Sequence, residues 1–181
     1  MTFHLETKRL ILRDIRPTDL EAMFRLDSDP IVHRYLGKKP RTTQEESKKD
    51  IAYIIDQYHN NGIGRWAAIE KSSGDFMGWS GLKLNNDLTY NDITNFYDVG
   101  YRFIPKYWGK GYATESALAS LEYGFNTMNL KCINGIAEVD NIASNRVLQK
   151  IGLKFINTFN IDTVQAHWYE LKKDDYAKTL S

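Results

Sequence analysis

The stretch Asp98-Val-Gly-Tyr-Arg-Phe-Ile-Pro-Lys-Tyr-Trp-Gly-Lys-Gly-Tyr-Ala-Thr-Glu-Ser116 decides the fold. It reads as a strand, a tight loop with two glycines and the first turn of a helix. Gly109 and Gly111 let the backbone take positive φ and bring its N–H groups close to a ligand, and the helix that begins near Ala113 attracts anions at its N-terminus. Lys106 and Lys110 add positive charge. The arrangement suits a phosphate cradle; the alternative is a glycine turn that joins strand to helix and binds nothing. A P-loop would need Ser or Thr after Lys110, where Gly111 stands. A dinucleotide fingerprint would need a third glycine, and that position holds Thr114.

On the N-terminal side of this stretch, Arg9–Ile15 is rich in strand formers. Thr18 with Glu21 forms a capping-box signature for a short helix carrying Leu20, Met23, Phe24 and Asp27. Either Thr42 with Glu45 or Thr43 with Glu46 caps a second helix, whose face is Ile51, Ile54, Ile55 and Tyr58. Residues 65–70 and 76–84 read as strands around the turn Ser72-Ser-Gly-Asp75, residues 85–94 as a surface excursion, and Phe96–Phe103 as the strand entering the cradle. Gly100 within that strand hints at a bulge or a close ligand approach. Beyond the cradle, Leu118, Leu121, Phe125 and Met128 give a helical stripe. Cys132–Val139 reads as a fifth strand and Asn141–Gly152 as a loop, a helix with apolar Val147, Leu148 and Ile151, and a glycine stop. Two aromatic-rich strands, 155–161 and 164–171, close the chain. This order predicts an α/β protein with a mixed sheet flanked by helices.

With 181 residues the chain suits one domain, 1–181. A formal charge of +1 gives no footprint for nucleic acid, and no apolar run reaches the length of about 18 residues that spans a bilayer. One cysteine, Cys132, excludes an intrachain disulfide, and the N-terminus lacks the marks of a secretion signal, so a cytoplasmic location is expected. His4, His33, His59 and His167 lack metal-ligand spacing, and no metal is expected.

Tyr107-Trp-Gly-Lys-Gly-Tyr-Ala-Thr-Glu-Ser116 followed by Asn141-Ile-Ala-Ser-Asn-Arg-Val-Leu-Gln-Lys-Ile-Gly-Leu153 resembles the GNAT superfamily of acyl-CoA N-acyltransferases. More narrowly, with Arg9-Leu-Ile-Leu-Arg13 and the last two strands, it is similar to the RimJ/RimL-like branch, named for ribosomal-protein N-terminal acetyltransferases. The resemblance implies a seven-stranded, mostly antiparallel sheet splayed between its fourth and fifth strands, with acetyl-CoA in the gap. Its pyrophosphate would lie on Trp108, Gly109, Lys110, Gly111, Tyr112, Ala113 and Thr114. Its pantetheine arm would run beside the backbone of Phe103 and Ile104, with Asn141, Ser144 and Asn145 on the other side. Dimers are common in that branch, which leaves a homodimer open.

Acetyl transfer requires a neutral amine, stabilisation of an oxyanion and a proton for the departing thiolate. An α-amine is roughly 10% neutral at pH 7, a lysine-like amine only about 0.04%. For the base, Asp98 and Glu138 are candidates; Asp98 could instead pair with Arg102 or a charge on a neighbouring strand, and Glu138 could be a solvated strand residue. The tyrosine that many family members carry in the helix after the fifth strand is replaced by Leu148, and the resemblance offers Ser144 as acid. Ser144 and Asn145 could equally be helix caps. A backbone N–H near Phe103 would hold the oxyanion. Trp108 replaces the usual Gln or Arg, leaving the phosphates to the backbone. Trp66, Trp79, Tyr97, Tyr101 and Trp168 either line an acceptor groove or belong to the core. Cys132 reads as buried and inert. The expected function is transfer of acetyl from acetyl-CoA to a peptide N-terminus or a small amine; the rival is a CoA-binding sensor without turnover.

Overall fold

The computed structural model describes residues 3–179. In chain order its elements are β1 (His4–Glu6), β2 (Leu10–Asp14), α1 (Leu20–Asp27), α2 (Gln44–Asn61), β3 (Trp66–Glu70), β4 (Phe76–Asn85), β5 (Phe96–Phe103), α3 (Tyr112–Glu122), β6 (Cys132–Glu138), α4 (Ile142–Lys150), β7 (Lys154–Ile161), β8 (Val164–Lys172) and α5 (Lys173–Thr179). The sheet has eight strands in the order β1-β2-β3-β4-β5-β6-β8-β7, one more than expected. The added strand is β1, which pairs antiparallel with β2.

Every neighbouring pair is antiparallel except β5 and β6, which run parallel and share the single ladder pair Asp98↔Asn134. Beyond that pair β5 continues to Phe103 and β6 to Glu138 without joining. The sheet therefore opens toward the C-terminal ends of these two strands, in the gap expected between the fourth and fifth strands of the shorter count. Backbone groups along an unjoined edge need other partners, and a ligand with amide groups can supply them.

Alternation along the strands sorts the core into two layers. On one face Leu82, Val99, Phe103 and Ile133 meet Ala117, Leu121 and Phe125 from α3 and its extension, and Leu148 from α4. On the other, Ala67 and Phe76 meet Met23 and Leu26 of α1 and Ile51 and Ile54 of α2. Full burial of a side chain such as Leu121 or Phe125 stabilises by roughly 1.5–3 kcal/mol. Leu118, expected in this stripe, is exposed, because Ala117 and Leu121 already occupy the sheet-facing side and Leu118 turns about 100° away.

Local chemistry fixes the helix ends. Thr43 caps α2, with Glu46 accepting from the backbone of Thr42 and Thr43. These backbone hydrogen bonds hold the exposed Glu46 carboxyl down at about 2. Thr18 does not cap α1: a short 3-10 turn over Pro17–Asp19 comes first, and Asp19 Oδ2 accepts from Arg16 N. Gly62 ends α2 in the left-handed conformation. Gly100 marks no bulge: the β4–β5 register runs unbroken through it, and the close neighbour there is Arg65, whose Nη2 would lie 2.7 Å from a Cβ.

Candidate active site

After β5 the chain makes a 3-10 turn over Pro105–Tyr107 and then passes through Gly109 (φ +72°) and Gly111 (φ +82°) into α3. Gly111 is the N-cap and supplies no side chain, so the first N–H groups of an eleven-residue helix face outward without a side-chain cap. A Cβ on Gly109 would meet nothing within 4 Å, and one on Gly111 only Arg9 Nη2 at 3.5 Å. The loop is an open concavity in which glycine serves the positive φ and leaves room for an anion.

Arg9 braces this loop from below, a role the sequence reading missed. Its Nε lies 2.6 Å from Glu115 Oε2, its Nη1 donates to Lys110 O at 2.9 Å, and its guanidinium stacks 4.1 Å from the Tyr112 ring centre. Glu115 also accepts from Arg9 N at 2.8 Å and Thr7 Oγ1 at 2.7 Å. Burial alone would raise the Glu115 carboxyl, but these hydrogen bonds hold it below the usual range. Tyr112 donates to Glu70 Oε1 at 2.7 Å, tying the first turn of α3 to β3. Lys110 is exposed beside the loop, whereas Lys106 sits 3.4 Å from Asp75 and over the Tyr107 ring. Thr114 is half-buried in the first turn.

From the loop a cleft of about 260 Å³ runs between the splayed strands, lined by Tyr101, Arg102 and Phe103 of β5, Trp108 and Ala113 of the cradle, and Asn141, Ser144 and Val147 around α4. Ile31, Val32, Tyr35 and Leu36, on the connection between α1 and α2, form its outer rim. That volume suits a narrow arm rather than a whole nucleotide. Ile104 turns its N–H to Met77 O at 2.9 Å, away from the gap. By alternation the backbone of Phe103 faces the gap, where Trp108 Nε1 donates to its carbonyl at 2.6 Å. The indole thus folds the loop back onto the strand end.

At the N-terminus of α4 the cap is Asn141, whose Oδ1 accepts from Ser144 N at 3.1 Å; neither Ser144 nor Asn145 caps it. Ser144 faces the cleft, with its Oγ 3.2 Å from Tyr101 Oη. Asn145 does not line the cleft: it is buried, and Nδ2 donates to Glu138 O and Asn141 O, both at 2.9 Å, while Oδ1 accepts from Tyr169 Oη at 2.7 Å. It locks the start of α4 to the end of β6 and to Tyr169 within β8.

The two carboxylates singled out as bases sit apart from each other. Asp98 lies at the joined end of the splay, buried, with Oδ2 2.6 Å from Arg65 Nη2 and Oδ1 2.8 Å from Asn85 Nδ2. Its partner is Arg65, from beyond β4, and not Arg102. Glu138 ends β6 half-buried, and its carbonyl accepts from Asn141 N and Asn145 Nδ2. Arg102 lines the cleft and gives Nη1 to the buried Asp27 carboxylate at 2.5 Å, with its guanidinium 4.9 Å from the Trp79 ring centre. His33 is buried beside this pair, with Nε2 3.8 Å from Asp27 Oδ1. Burial, then the Arg102 charge, push its pKa down, so it is neutral.

Of the five aromatics considered for an acceptor groove, Tyr101 alone lines the cleft. Trp66 is buried against Phe3, Trp168 is buried between Phe96 and Phe159, Tyr97 packs against the core, and Trp79 carries the guanidinia of Arg65 and Arg102. Cys132 is half-buried rather than fully buried; burial raises its thiol pKa and keeps it inert.

A glycine loop at an uncapped helix N-terminus, an unjoined strand edge and a cleft that links them fit a cofactor with a pyrophosphate head and an amide-bearing arm. Residues 9–154 match the acetyltransferase (GNAT) domain family. The chain is 31% identical over 150 residues to the uncharacterized N-acetyltransferase YoaA of Bacillus subtilis, covering 83% of this chain and 82% of that one. A crystal structure of a GNAT-family acetyltransferase from Bacillus anthracis superposes with a TM-score of 0.78 at 26% identity, covering 95% and 99% of the two chains. A spermidine N-acetyltransferase from Vibrio cholerae, solved with CoA and spermine, superposes with a TM-score of 0.76 at 18% identity over 94% and 99% of the chains. The chain thus belongs to the GNAT acetyltransferase family and is an acetyl-CoA-dependent N-acetyltransferase.

Proposed function

We propose that this protein, as a single domain over residues 1–181, passes acetyl directly from acetyl-CoA to a primary amine in a ternary complex. The acceptor is a peptide N-terminus or a small amine. On the resemblance of its motifs we assign it to the RimJ/RimL-like branch, and to the cytoplasm. The observation that carries the reading is the continuity of the uncapped start of α3 after Gly111 with the open edge of β5 and the Ser144 hydroxyl.

In this reading the backbone N–H groups from Gly109 to Thr114 hold the pyrophosphate at the N-terminus of α3, and Arg9 keeps the loop in shape. Phe103 offers a backbone N–H to the thioester oxygen, where negative charge develops as the amine attacks. Asn141 and Ser144 flank the arm from α4, and Ser144 supplies the hydroxyl that meets the departing sulfur. A base is needed for the acceptor nitrogen. Glu138, which ends β6 at the open side of the splay, suits that role better than Asp98, whose two oxygens are already held by Arg65 and Asn85. An α-amine, roughly 10% neutral at pH 7, asks less of such a base than a lysine-like amine does.

The test is release of free thiol from acetyl-CoA in the presence of a free-amine tripeptide, spermidine or lysine, with CoA affinity measured separately by calorimetry. Thiol release that depends on one of these amines is expected. Micromolar CoA binding with no release from any of them would favour a sensor over an enzyme.

A further inference from the structure

Tyr101 Oη sits 3.1 Å from Ser144 O and 3.2 Å from Ser144 Oγ, a contact that crosses the open end of the sheet from β5 to the first turn of α4. The phenol has one hydrogen and can satisfy one of these oxygens at a time. When that hydrogen points at Ser144 Oγ, the serine already accepts on that side and its own hydrogen is free to turn into the cleft, which both residues line. When it points at the carbonyl, the serine donates back to Tyr101 and presents only lone pairs. Burial pushes the Tyr101 phenol pKa up and the hydrogen bond with Ser144 only partly reverses this, so the phenol keeps its hydrogen at any working pH.

We propose that Tyr101 is a positioning residue that aims the Ser144 hydroxyl hydrogen at the sulfur leaving acetyl-CoA. The inference rests on the acetyl-transfer reading above. In that reaction the acceptor nitrogen bonds to the thioester carbon, and the C–S bond breaks with its electron pair on sulfur. The proton shed by nitrogen passes to the base. Ser144 gives the sulfur a hydrogen bond and keeps its proton, so neither hydroxyl changes its ionisation; CoA leaves as the thiolate and takes its proton from solvent once released. A donor aimed where charge develops, in a site walled by apolar side chains, lowers the barrier more than the same donor left to rotate. Leu148 replaces the tyrosine found at that helix position in many family members, and here a phenol comes instead from the opposite strand.

The experiment is a double-mutant cycle with Tyr101→Phe and Ser144→Ala, read as thiol release with acetyl-CoA and the best amine of the panel, alongside calorimetry with CoA. Each single variant should lose about tenfold in kcat, the effect expected of one hydrogen bond made in the transition state. KM for acetyl-CoA and Kd for CoA should stay within about twofold. The double variant should be no slower than Ser144→Ala alone, because without its partner the phenol has nothing to aim. Tyr101→Met, which also lacks the hydroxyl, should behave like Tyr101→Phe, and Ser144→Thr should retain most of the rate. Full kcat in both Tyr101 variants, or losses that multiply in the double variant, would overturn the role given to Tyr101 while leaving acetyl transfer intact. Absence of CoA binding or of thiol release in the wild-type protein would overturn the transfer reading itself.

Discussion

Arg65 Nη2 lies 2.6 Å from Asp98 Oδ2, and its guanidinium fills the space that a side chain at position 100 would need. Arg65 Nη1 also donates to the carbonyls of Gly81 and Asp98, at 2.5 and 2.8 Å, so one cation ties β4 to β5 at the point where β5 still touches β6. The pair is the hinge post of the splay. With side chains only 11% and 13% exposed, removing one partner strands the other charge. Asp98→Asn should therefore cost about 3 kcal/mol, which for a chain of this size lowers Tm by roughly 6–12 °C. CoA affinity by calorimetry should stay within about twofold. Loss of turnover with Tm unchanged would instead make Asp98 the base.

The cradle gives a second expectation. Gly111 at φ +82° accepts no side chain without backbone strain, and an acid there would face the bound pyrophosphate. Gly111→Asp adds about 1–2 kcal/mol of left-handed strain to the loss of a favourable helix-terminus interaction of about 1 kcal/mol. The strain lowers stability, and the lost helix-terminus interaction should weaken CoA binding about fivefold, which calorimetry on the folded variant decides. Undiminished affinity would remove the pyrophosphate from this loop.

Much of this site was legible because glycine, helix-start and strand patterns are local. The loop from Trp108 to Thr114, the splay implied by the family motifs and the helix carrying Ser144 all follow from short windows of sequence. What escaped is non-local or too brief. Tyr101 and Ser144 meet only because the sheet opens, and Arg9 reaches Glu115 across 106 positions of chain. The strand His4–Glu6 has three residues, too few to show alternation, and α5 is a single polar stretch after β8. Asp98 could be foreseen as an ion-pair partner, yet which cation it met depended on Arg65 reaching across β4. Asn145 looked like a cap by type, but the cap is Asn141, one turn earlier.

Glu115 carries an acid dependence. Its carboxyl sits below 4.5 in the folded protein because Thr7, Arg9 N and Arg9 Nε hydrogen-bond its charged form. A depressed carboxylate contributes stability that is complete above the unfolded pKa and is lost as pH falls through the folded one. The cradle should therefore loosen below about pH 4.5, and Glu115→Gln should show the weaker, pH-independent CoA binding already at pH 7. Equal affinities for the two proteins at pH 7 would count against the brace.

A different pH window belongs to the group under the rim of the cleft. His33 packs against the Asp27–Arg102 pair, with the Arg41 charge nearby, and is held neutral chiefly by burial and then by the Arg102 charge. Neither of its ring nitrogens makes a hydrogen bond among the described residues. The unfolded chain takes up a proton at about 6.5, whereas the folded protein resists it until lower pH, so stability is complete above 6.5 and declines as pH falls below it. This decline begins well before Glu115 titrates, and the two effects separate. The urea midpoint of the wild-type protein should drop between pH 7.5 and pH 5.5, and His33→Leu should flatten that drop. Arg102→Met behaves differently: it leaves Asp27 buried without its cation, costing about 3–5 kcal/mol at pH 7.5. Adding Asp27→Asn should recover part of that loss, since the stranded charge is then gone. A wild-type midpoint that does not move between the two pH values would show that His33 takes up its proton as readily in the folded protein as in the unfolded chain, against the effect of its burial.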